Sequence, residues 1–254
     1  MQWALERRLI VFLIIDALLA VVAAGLYFLF FYQGPTCTDG VWNGRETGVD
    51  CGGTCAYLCL ATEEPPTVLF TQAILNGEGR TDVISLIENK NQRSAAKHVP
   101  YAISIFGYDQ ALIQHVTGTL DLPPGATVPV FVPGVASGYA TPGAAFLSTA
   151  SSSIQWYAED TDPRVVPSVS GITLGGATDA PRITATLGNP DIRPMRGMKA
   201  IVIVFDASGN AIGASQTIVP LIGAQGSAIA TFTWNAPFEG VPVQIQVLPV
   251  IPLP

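Results

Sequence analysis

The chain has 254 residues, of which 49% are hydrophobic and only 12% are charged. Soluble domains usually carry about 25% charged residues, so roughly half of the usual charge is missing. Lys and Arg number 12 against 19 Asp and Glu, and the net charge of −7 excludes a basic nucleic-acid-binding face. High apolar content with low charge also excludes intrinsic disorder.

The N-terminal segment has the composition of a membrane anchor. Residues 9–32 contain one charged residue, Asp16, and as a helix they would reach about 36 Å, enough to cross a hydrocarbon core of roughly 30 Å. Arg7 and Arg8 lie just before this run, and basic residues mark the cytoplasmic flank of a membrane helix. The sequence therefore predicts a cytoplasmic stub at 1–8, a transmembrane helix at 9–32 and an extracytoplasmic remainder.

Two alternatives to a membrane anchor, a cleaved signal peptide and a lipidated cysteine, have less support. Small residues at 22–24 would suit a signal peptidase, but the apolar run continues through 26–32, which favours an uncleaved anchor. Residues 34–36 lack the leucine and small residues that precede a lipidated cysteine, so lipidation of Cys37 is not predicted.

Asp16 is costly inside a membrane, by about 2–3 kcal/mol on insertion scales. One interpretation is a tolerated acid near the cytoplasmic side, and the other is an intramembrane contact with a second helix. A charged residue in an N-terminal apolar helix also resembles type IV pilins, which makes a filament subunit a remote alternative. The pilin leader, and the glutamate five residues into the pilin helix, are absent from this sequence.

All four cysteines, Cys37, Cys51, Cys55 and Cys59, follow the predicted anchor closely. An even number of cysteines in an oxidising compartment predicts two disulfides, in any of three pairings. Zinc is the competing interpretation, but the spacing has no paired Cys-x2-Cys knuckles. The sequence therefore predicts a small disulfide-rich module at 36–62.

The stretch from Cys37 to Cys55 reads Cys-Thr-Asp-Gly-Val-Trp-Asn-Gly-Arg-Glu-Thr-Gly-Val-Asp-Cys-Gly-Gly-Thr-Cys. It resembles a motif of bacterial surface proteins, Cys-x-Asp-Gly-x-x-Asn-Gly-x-Glu-Thr-x-x-Asp-Cys-Gly-Gly-x-Cys. That motif follows a membrane segment or joins extracellular domains. The resemblance covers this stretch alone and implies a small extracytoplasmic knot without enzymatic activity.

Four oxygen-bearing side chains of this stretch, Asp39, Asn43, Glu46 and Asp50, are of the type that Ca²⁺ prefers. Their spacing is not that of an EF-hand loop. Asp and Asn beside glycines also cap turns, which is the alternative interpretation of the same residues. Apart from zinc on the cysteines, calcium is the one cofactor for which the sequence offers candidate ligands.

Beyond a polar joint at 63–66, the chain has the pattern of β-strands. Alternating runs rich in β-branched residues are punctuated by Gly, Pro, Asn and Asp, and no long stretch has a helical period. Each run could bury one face of a β-sandwich. The extracytoplasmic part is therefore predicted to be all-β.

The two halves of this β-region repeat one pattern. Residues 83–89 align with 183–189, and 103–113 align with 202–212. A repeat of about one hundred residues suits a sandwich of seven short strands. The predicted first and second β-sandwiches occupy 66–158 and 163–254.

The repeat resembles the FxLyD-type and late-embryogenesis-abundant-like family of sandwiches, which is immunoglobulin-like. The resemblance is carried by Glu88-Asn-Lys-Asn91 and Leu122-Pro-Pro-Gly125 in the first copy, and by Gly188-Asn-Pro190 and Phe205-Asp-Ala-Ser-Gly-Asn-Ala-Ile212 in the second. The second copy departs from the family at 221–224, where the Pro-Pro pair is missing. The resemblance implies two tandem immunoglobulin-like β-sandwiches without a catalytic residue.

No enzyme motif occurs in the sequence. Nucleophile elbows, phosphate loops, dinucleotide-binding fingerprints and zinc-peptidase helices are all missing. The two histidines, His98 and His115, are expected at the surface or in hydrogen bonds. The acids Glu159, Asp160 and Asp162 lie in the predicted linker between the sandwiches, where carboxylates are usually solvated. We therefore expect a protein that is not an enzyme.

Two classes of function remain. In the first, the chain is a structural or accessory subunit of a cell-envelope assembly, with the membrane, other envelope proteins or further copies of itself as partners. In the second, it is a displayed adhesion or ligand-binding module that uses its loops. The low charge favours the first class, because a freely displayed module needs surface charge for solubility. The apolar segment 247–254 either completes the last strand or lies exposed for docking.

Overall fold

The structure is a computed structural model that describes residues 2–32, 34–76, 79–137 and 142–254. It consists of two compact units, Met1–Cys55 and Ala56–Pro254. The first unit contains an α-helix and a cysteine-rich loop, and the second contains the β-strands.

Helix α1 spans Gln2–Phe30. Within it, Arg7–Phe30 is long and apolar enough to cross a membrane, and none of this span is buried. A surface helix of a soluble domain would instead bury one apolar stripe against a core. The prediction of an apolar N-terminal helix compatible with a membrane anchor is confirmed.

The region after the cysteine-rich loop is mostly β-sheet, as predicted. Short 3-10 helices lie at Leu60–Thr62 and Ser151–Ser153. The strands of the described residues are β1 Thr67–Leu75, β2 Arg80–Glu88, β3 Ser94–Gly107, β4 Leu112–Leu122, β5 Thr127–Ser137, β6 Pro142–Thr149, β7 Trp156–Ala158, β8 Ser168–Gly175, β9 Arg182–Gly188, β10 Met195–Phe205, β11 Ala211–Ile222, β12 Ser227–Thr233 and β13 Gln244–Val250.

These strands form four antiparallel sheets. Sheet 1 has the order β1-β2-β5, and sheet 2 has the order β4-β3-β6, with β7 paired to one end of β3. Sheet 3 has the order β12-β9-β8, and sheet 4 has the order β11-β10-β13. Strands β1 to β7 therefore make a first module and β8 to β13 a second, and the two modules share one strand order.

Each module has a core between its two sheets. In the first, Val83 and Ile87 of β2 pack with Ile103 of β3 and with Trp156 of β7. The second core includes Ile183, Leu187, Val202, Ile222 and Phe232. Burying one such side chain stabilises the fold by about 1.5–3 kcal/mol, so the modules are held mainly by these apolar layers.

A third core lies between the two modules. Ile84 and Leu86 of β2 pack in one cluster with Ile201 and Ile203 of β10. The rings of Phe70 and Phe205 meet edge to face across this boundary, with centroids 6.0 Å apart. The sheets are therefore stacked in the order 2, 1, 4, 3.

This stacking explains part of the missing charge. Strands β2 and β10 are buried on both faces, with continuous buried runs at 81–87 and 200–204. A strand covered on both faces is apolar throughout instead of alternating with charged residues. Sheets 1 and 4 therefore have little solvent-facing surface on which charge could be placed.

A buried asparagine closes the same corner of each module. Asn89 Nδ2 donates to Ser94 O at 2.9 Å and to Pro123 O at 2.8 Å, and Asn89 Oδ1 accepts from Asn91 N at 3.1 Å. Asn189 repeats this arrangement with Arg193 O at 2.8 Å, Gly223 O at 3.0 Å and Asp191 N at 2.9 Å. Each asparagine therefore ties the loop after its own strand to the loop after β4 or β11.

The last residues of the chain return to the first module. Leu253 is buried, and its amide donates to Asp121 Oδ2 at 2.9 Å. Lys97 Nζ donates to the carbonyl oxygen of Pro254. Of the apolar segment 247–254, residues 247–250 complete β13, and Leu253 and Pro254 lie against the first module.

Candidate functional site

The cysteine-rich loop of the first unit is organised by carboxylates that accept backbone amides. Asp50 accepts hydrogen bonds from the amides of Asp39 and Gly40, both at 2.9 Å. Asp39 in turn accepts from Val41 N at 2.9 Å and from Thr36 N at 3.1 Å. These contacts fix the turns that bring the two ends of the loop together.

Glu46 and Asn43 complete this network. Glu46 Oε2 accepts from Asn43 N and from Asp50 N, both at 3.3 Å, and Asn43 Nδ2 donates to Asp39 Oδ2 at 2.9 Å. Asn43 Oδ1 is buried without a partner in the described part of the chain. The structure thus brings the four predicted calcium ligands together, with their carboxylates already used as turn caps. The calcium site stays a prediction.

The predicted disulfides are confirmed. Cys37 is bonded to Cys55 across 18 residues, and Cys51 and Cys59 are disulfide-bonded as well. In the chain-entropy model, a loop of this size stabilises the fold by about 3 kcal/mol. Glu46 lies beside the Cys37 and Cys55 sulfurs, but a disulfide has no thiolate to offer a metal.

Gly53 shows why the loop needs glycine beside its cysteines. Its φ is +61°, and a Cβ at this position would lie 1.7 Å from the carbonyl oxygen of Arg45. Such a contact is impossible without moving backbone. The second glycine of the Gly-Gly pair therefore has a steric role in this fold.

The turn caps predict a pH dependence for this loop. The Asn43 side-chain amide and the backbone amides of Thr36 and Val41 lower the pKa of the Asp39 carboxyl below its ordinary 3.8. A pKa lower in the folded than in the unfolded chain stabilises the fold above the unfolded pKa. That contribution is lost as the pH falls through the folded-state pKa. We expect amide hydrogen exchange at Thr36 and Val41, corrected for intrinsic rates, to accelerate as the pH falls below 3.8 and through the lower folded-state pKa of Asp39.

The measurement is hydrogen–deuterium exchange on the full chain in detergent or nanodiscs. The matched variant Asp39→Asn lacks the titrating carboxyl, so its corrected exchange should change little over the same range. Constant corrected exchange in the unmodified chain would contradict the role of Asp39.

The histidines and linker acids do not form an acid–base site among themselves. His98 is exposed, and its amide donates to Asp121 Oδ1 at 2.8 Å. His115 is exposed and lies 3.1 Å from the Ser104 hydroxyl through Nδ1. Asp160 pairs with Arg93 and Asp162 pairs with Arg164, each at 2.7 Å.

A groove of about 560 Å³ lies between the two modules. The first module contributes His98 and Asp121 to it, and the second contributes Arg164 and Lys199. The Asp121 carboxylate already accepts two backbone amides, and the Arg164 guanidinium is paired with a carboxylate. Sequence reasoning missed this groove, because it depends on how the modules pack.

No protein-family model and no curated protein matches the chain. Among solved structures, red sea bream transglutaminase is similar with 14% identity and a TM-score of 0.26, over 74% of this chain and 31% of that one. A putative beta-galactosidase from Bacteroides fragilis is similar with 14% identity and a TM-score of 0.20, over 69% of this chain and 33% of that one. The chain spans about a third of either structure, and similarity this low carries no argument about function.

Proposed function

We propose that the chain is a non-enzymatic, single-pass membrane protein that serves as a structural or accessory subunit of a cell-envelope assembly. The observation that carries the proposal is α1, whose apolar surface is exposed all around in the first unit. Disulfide-bonded cysteines follow it, and disulfides persist in oxidising compartments outside the cytoplasm. Arg7 and Arg8 support a cytoplasmic N-terminus.

The proposal includes two tandem immunoglobulin-like β-sandwiches. Support comes from the shared strand order of the modules, each with two antiparallel sheets around one core. Support for a place at the bacterial surface comes from the resemblance of 37–55 to the cysteine motif described above.

A displayed ligand-binding module is the second candidate. The groove between the modules favours it, since ligand sites occur preferentially at domain boundaries. Against it, two of the acidic and basic side chains in the groove, Asp121 and Arg164, are already engaged within the protein. The subunit role is therefore preferred.

Topology and anchoring can be measured together in cells that express the full chain. Intact mass of the membrane-extracted protein should include residues 1–24, and external protease should digest the β-modules but spare an N-terminal epitope tag. A mature mass lacking the first 24 residues would contradict the anchor. Protection of the β-modules in intact cells, with digestion after lysis, would contradict the orientation.

Crosslinking in native membranes tests the assembly role. A stable complex of fixed stoichiometry is expected, and monomers alone would support the displayed module instead. Asp16→Leu is the variant for the intramembrane contact, because it removes the charge while keeping an apolar helix. The prediction is loss of a co-purifying membrane partner, and unchanged co-purification would remove that role from Asp16.

A further inference from the structure

The stack of four sheets ends in two uncovered faces. Sheets 2 and 3 each use their inner face in the core of their own module. The sheets between them, 1 and 4, are covered on both sides. Among the described strands, the outer faces of sheets 2 and 3 are therefore the only sheet faces that no other sheet covers.

The free face of sheet 2 is apolar at its centre. Phe146 and Leu112 are 61% and 57% exposed, and the Phe146 ring lies 6.0 Å from that of Phe106. The strand register places the following residues on this face: Ala102, Ser104, Phe106, Leu112, His115, Thr117, Ala144, Phe146 and Ser148. None of these side chains is an acid, a lysine or an arginine. Further along β4, the same face continues through Thr119 to Asp121, because Leu120 and Leu122 point into the core.

The free face of sheet 3 is rich in hydroxyl groups and almost without charge. The strand register places on it Ser170, Thr173, Thr184, Thr186, Ile229 and Thr231, with Arg182 at one end. Ile229 is 68% exposed, and the Thr173 and Thr184 hydroxyls are 2.7 Å apart. Covering a threonine hydroxyl costs less desolvation free energy than covering a charged side chain.

Two faces at the equivalent positions of the strand order already meet inside the chain, where they carry larger apolar side chains. By strand order and repeat alignment, Ala102 and Ser104 of the first module correspond to Ile201 and Ile203 of the second. In the same way, Thr184 corresponds to Ile84. The internal core joins the outer face of sheet 1 to the outer face of sheet 4. In strand order, sheet 3 is the equivalent of sheet 1 and sheet 2 is the equivalent of sheet 4, so the two free faces are the equivalents of the two faces that meet inside.

We propose that copies of this chain associate head to tail, with the outer face of sheet 3 of one copy on the outer face of sheet 2 of the next. The proposal rests on the proposed role as an assembly subunit and names a second copy as the partner. The contact joins two different surfaces, so it does not close on itself and gives open rows. The free faces are less apolar than the internal core, so this association is reversible, and confinement to one membrane raises its effective concentration.

Photo-crosslinking locates the contact directly. A benzoylphenylalanine at position 146 of the full chain, expressed in its membrane, should give a covalent dimer. The crosslinked peptide of the second copy should come from β8, β9 or β12. Crosslinks from position 146 to sheet 2 of the second copy would overturn the head-to-tail arrangement.

Complementation of two surface variants separates this arrangement from every symmetric one. Ser104→Arg blocks the free face of sheet 2, and Thr184→Arg blocks that of sheet 3. Each variant alone should have a dissociation constant at least about tenfold higher than the unmodified chain. In a mixture, the intact sheet 3 of the Ser104→Arg variant can bind the intact sheet 2 of the Thr184→Arg variant. The other face of each variant is blocked, so the mixture should form dimers and nothing larger.

Sedimentation velocity or mass photometry of the full chain in nanodiscs gives these masses. Asn235→Arg, at an exposed position outside both faces, is the matched control and should behave as the unmodified chain. If all variants have the same urea midpoint of unfolding, the introduced arginine acts on association and not on folding. Failure of the mixture to form dimers, while the unmodified chain does associate, would overturn the proposal.

The same probe distinguishes this proposal from the subunit role on which it rests. A monomeric chain whose position 146 crosslinks to a different envelope protein would overturn self-association and keep the subunit role. A monomeric chain that crosslinks to no protein would count against both.

Discussion

Replacing Ile203 by aspartate is expected to separate the two modules or to unfold the second. Ile203 is fully buried in the core between the modules, in register with Ala214 of β11. The described members of this core are all apolar, so a carboxylate there would lose its hydration without gaining a cation. An uncompensated buried charge costs about 3–5 kcal/mol, a large part of the stability of a domain.

The measurement is urea unfolding of the full chain, followed by tryptophan fluorescence. Each module has its own buried tryptophan, Trp156 in the first and Trp234 in the second. If the inter-module core couples the modules, the unmodified chain should unfold in one transition. Ile203→Asp should instead unfold at a lower urea concentration or in two separate transitions. Single-tryptophan variants assign each transition to its module.

The repeat supplies a matched control for this experiment. Ser104 occupies the corresponding position of β3, on the free face of sheet 2, where a carboxylate remains hydrated in a single, unassociated copy of the chain. Ser104→Asp should therefore change the free energy of unfolding by less than about 0.5 kcal/mol. Similar losses of stability for both variants would contradict the importance of the inter-module core.

Asn89→Asp should destabilise the first module by about 2–4 kcal/mol. The change replaces the Nδ2 donor by an oxygen, which would face the carbonyl oxygens of Ser94, Leu122 and Pro123. These acceptors would lose their donor and meet a negative charge at a buried site. Asn189→Asp should have a similar effect on the second module, because its side-chain amide makes the equivalent contacts.

The urea midpoint of each module again provides the measurement. Asn235→Asp makes the same chemical change at an exposed position and should leave both midpoints nearly unchanged. If Asn89→Asp moved its midpoint no more than this control, the buried corner would contribute little to stability.

Several features of the fold could be predicted from local patterns in the sequence. Residues 9–32 predict an apolar helix because they contain a single charge, and the β-branched alternation after residue 66 predicts strands. The asparagines at 89 and 189 mark the ends of equivalent strands in both copies. Each of these patterns is visible within a short window, which is why it can be interpreted without the fold.

The packing of the modules could not be predicted in the same way. The apolar run 83–87 indicates a strand covered on both faces, but it does not say which element covers the second face. Within the candidate site, the disulfide partner of Cys37 was equally open, because three pairings fit the spacing. Both answers depend on contacts between residues that are distant in the sequence.

The difference between Ile84 and Thr184 makes the two modules non-interchangeable. They share a strand order, yet Ile84 is buried between modules and Thr184 faces outward. A recombined chain with the modules in reverse order would present Ile84, Ile201 and Ile203 to water. Such a chain would fold poorly or aggregate, so these sheet faces fix the order in which the two modules can follow one another.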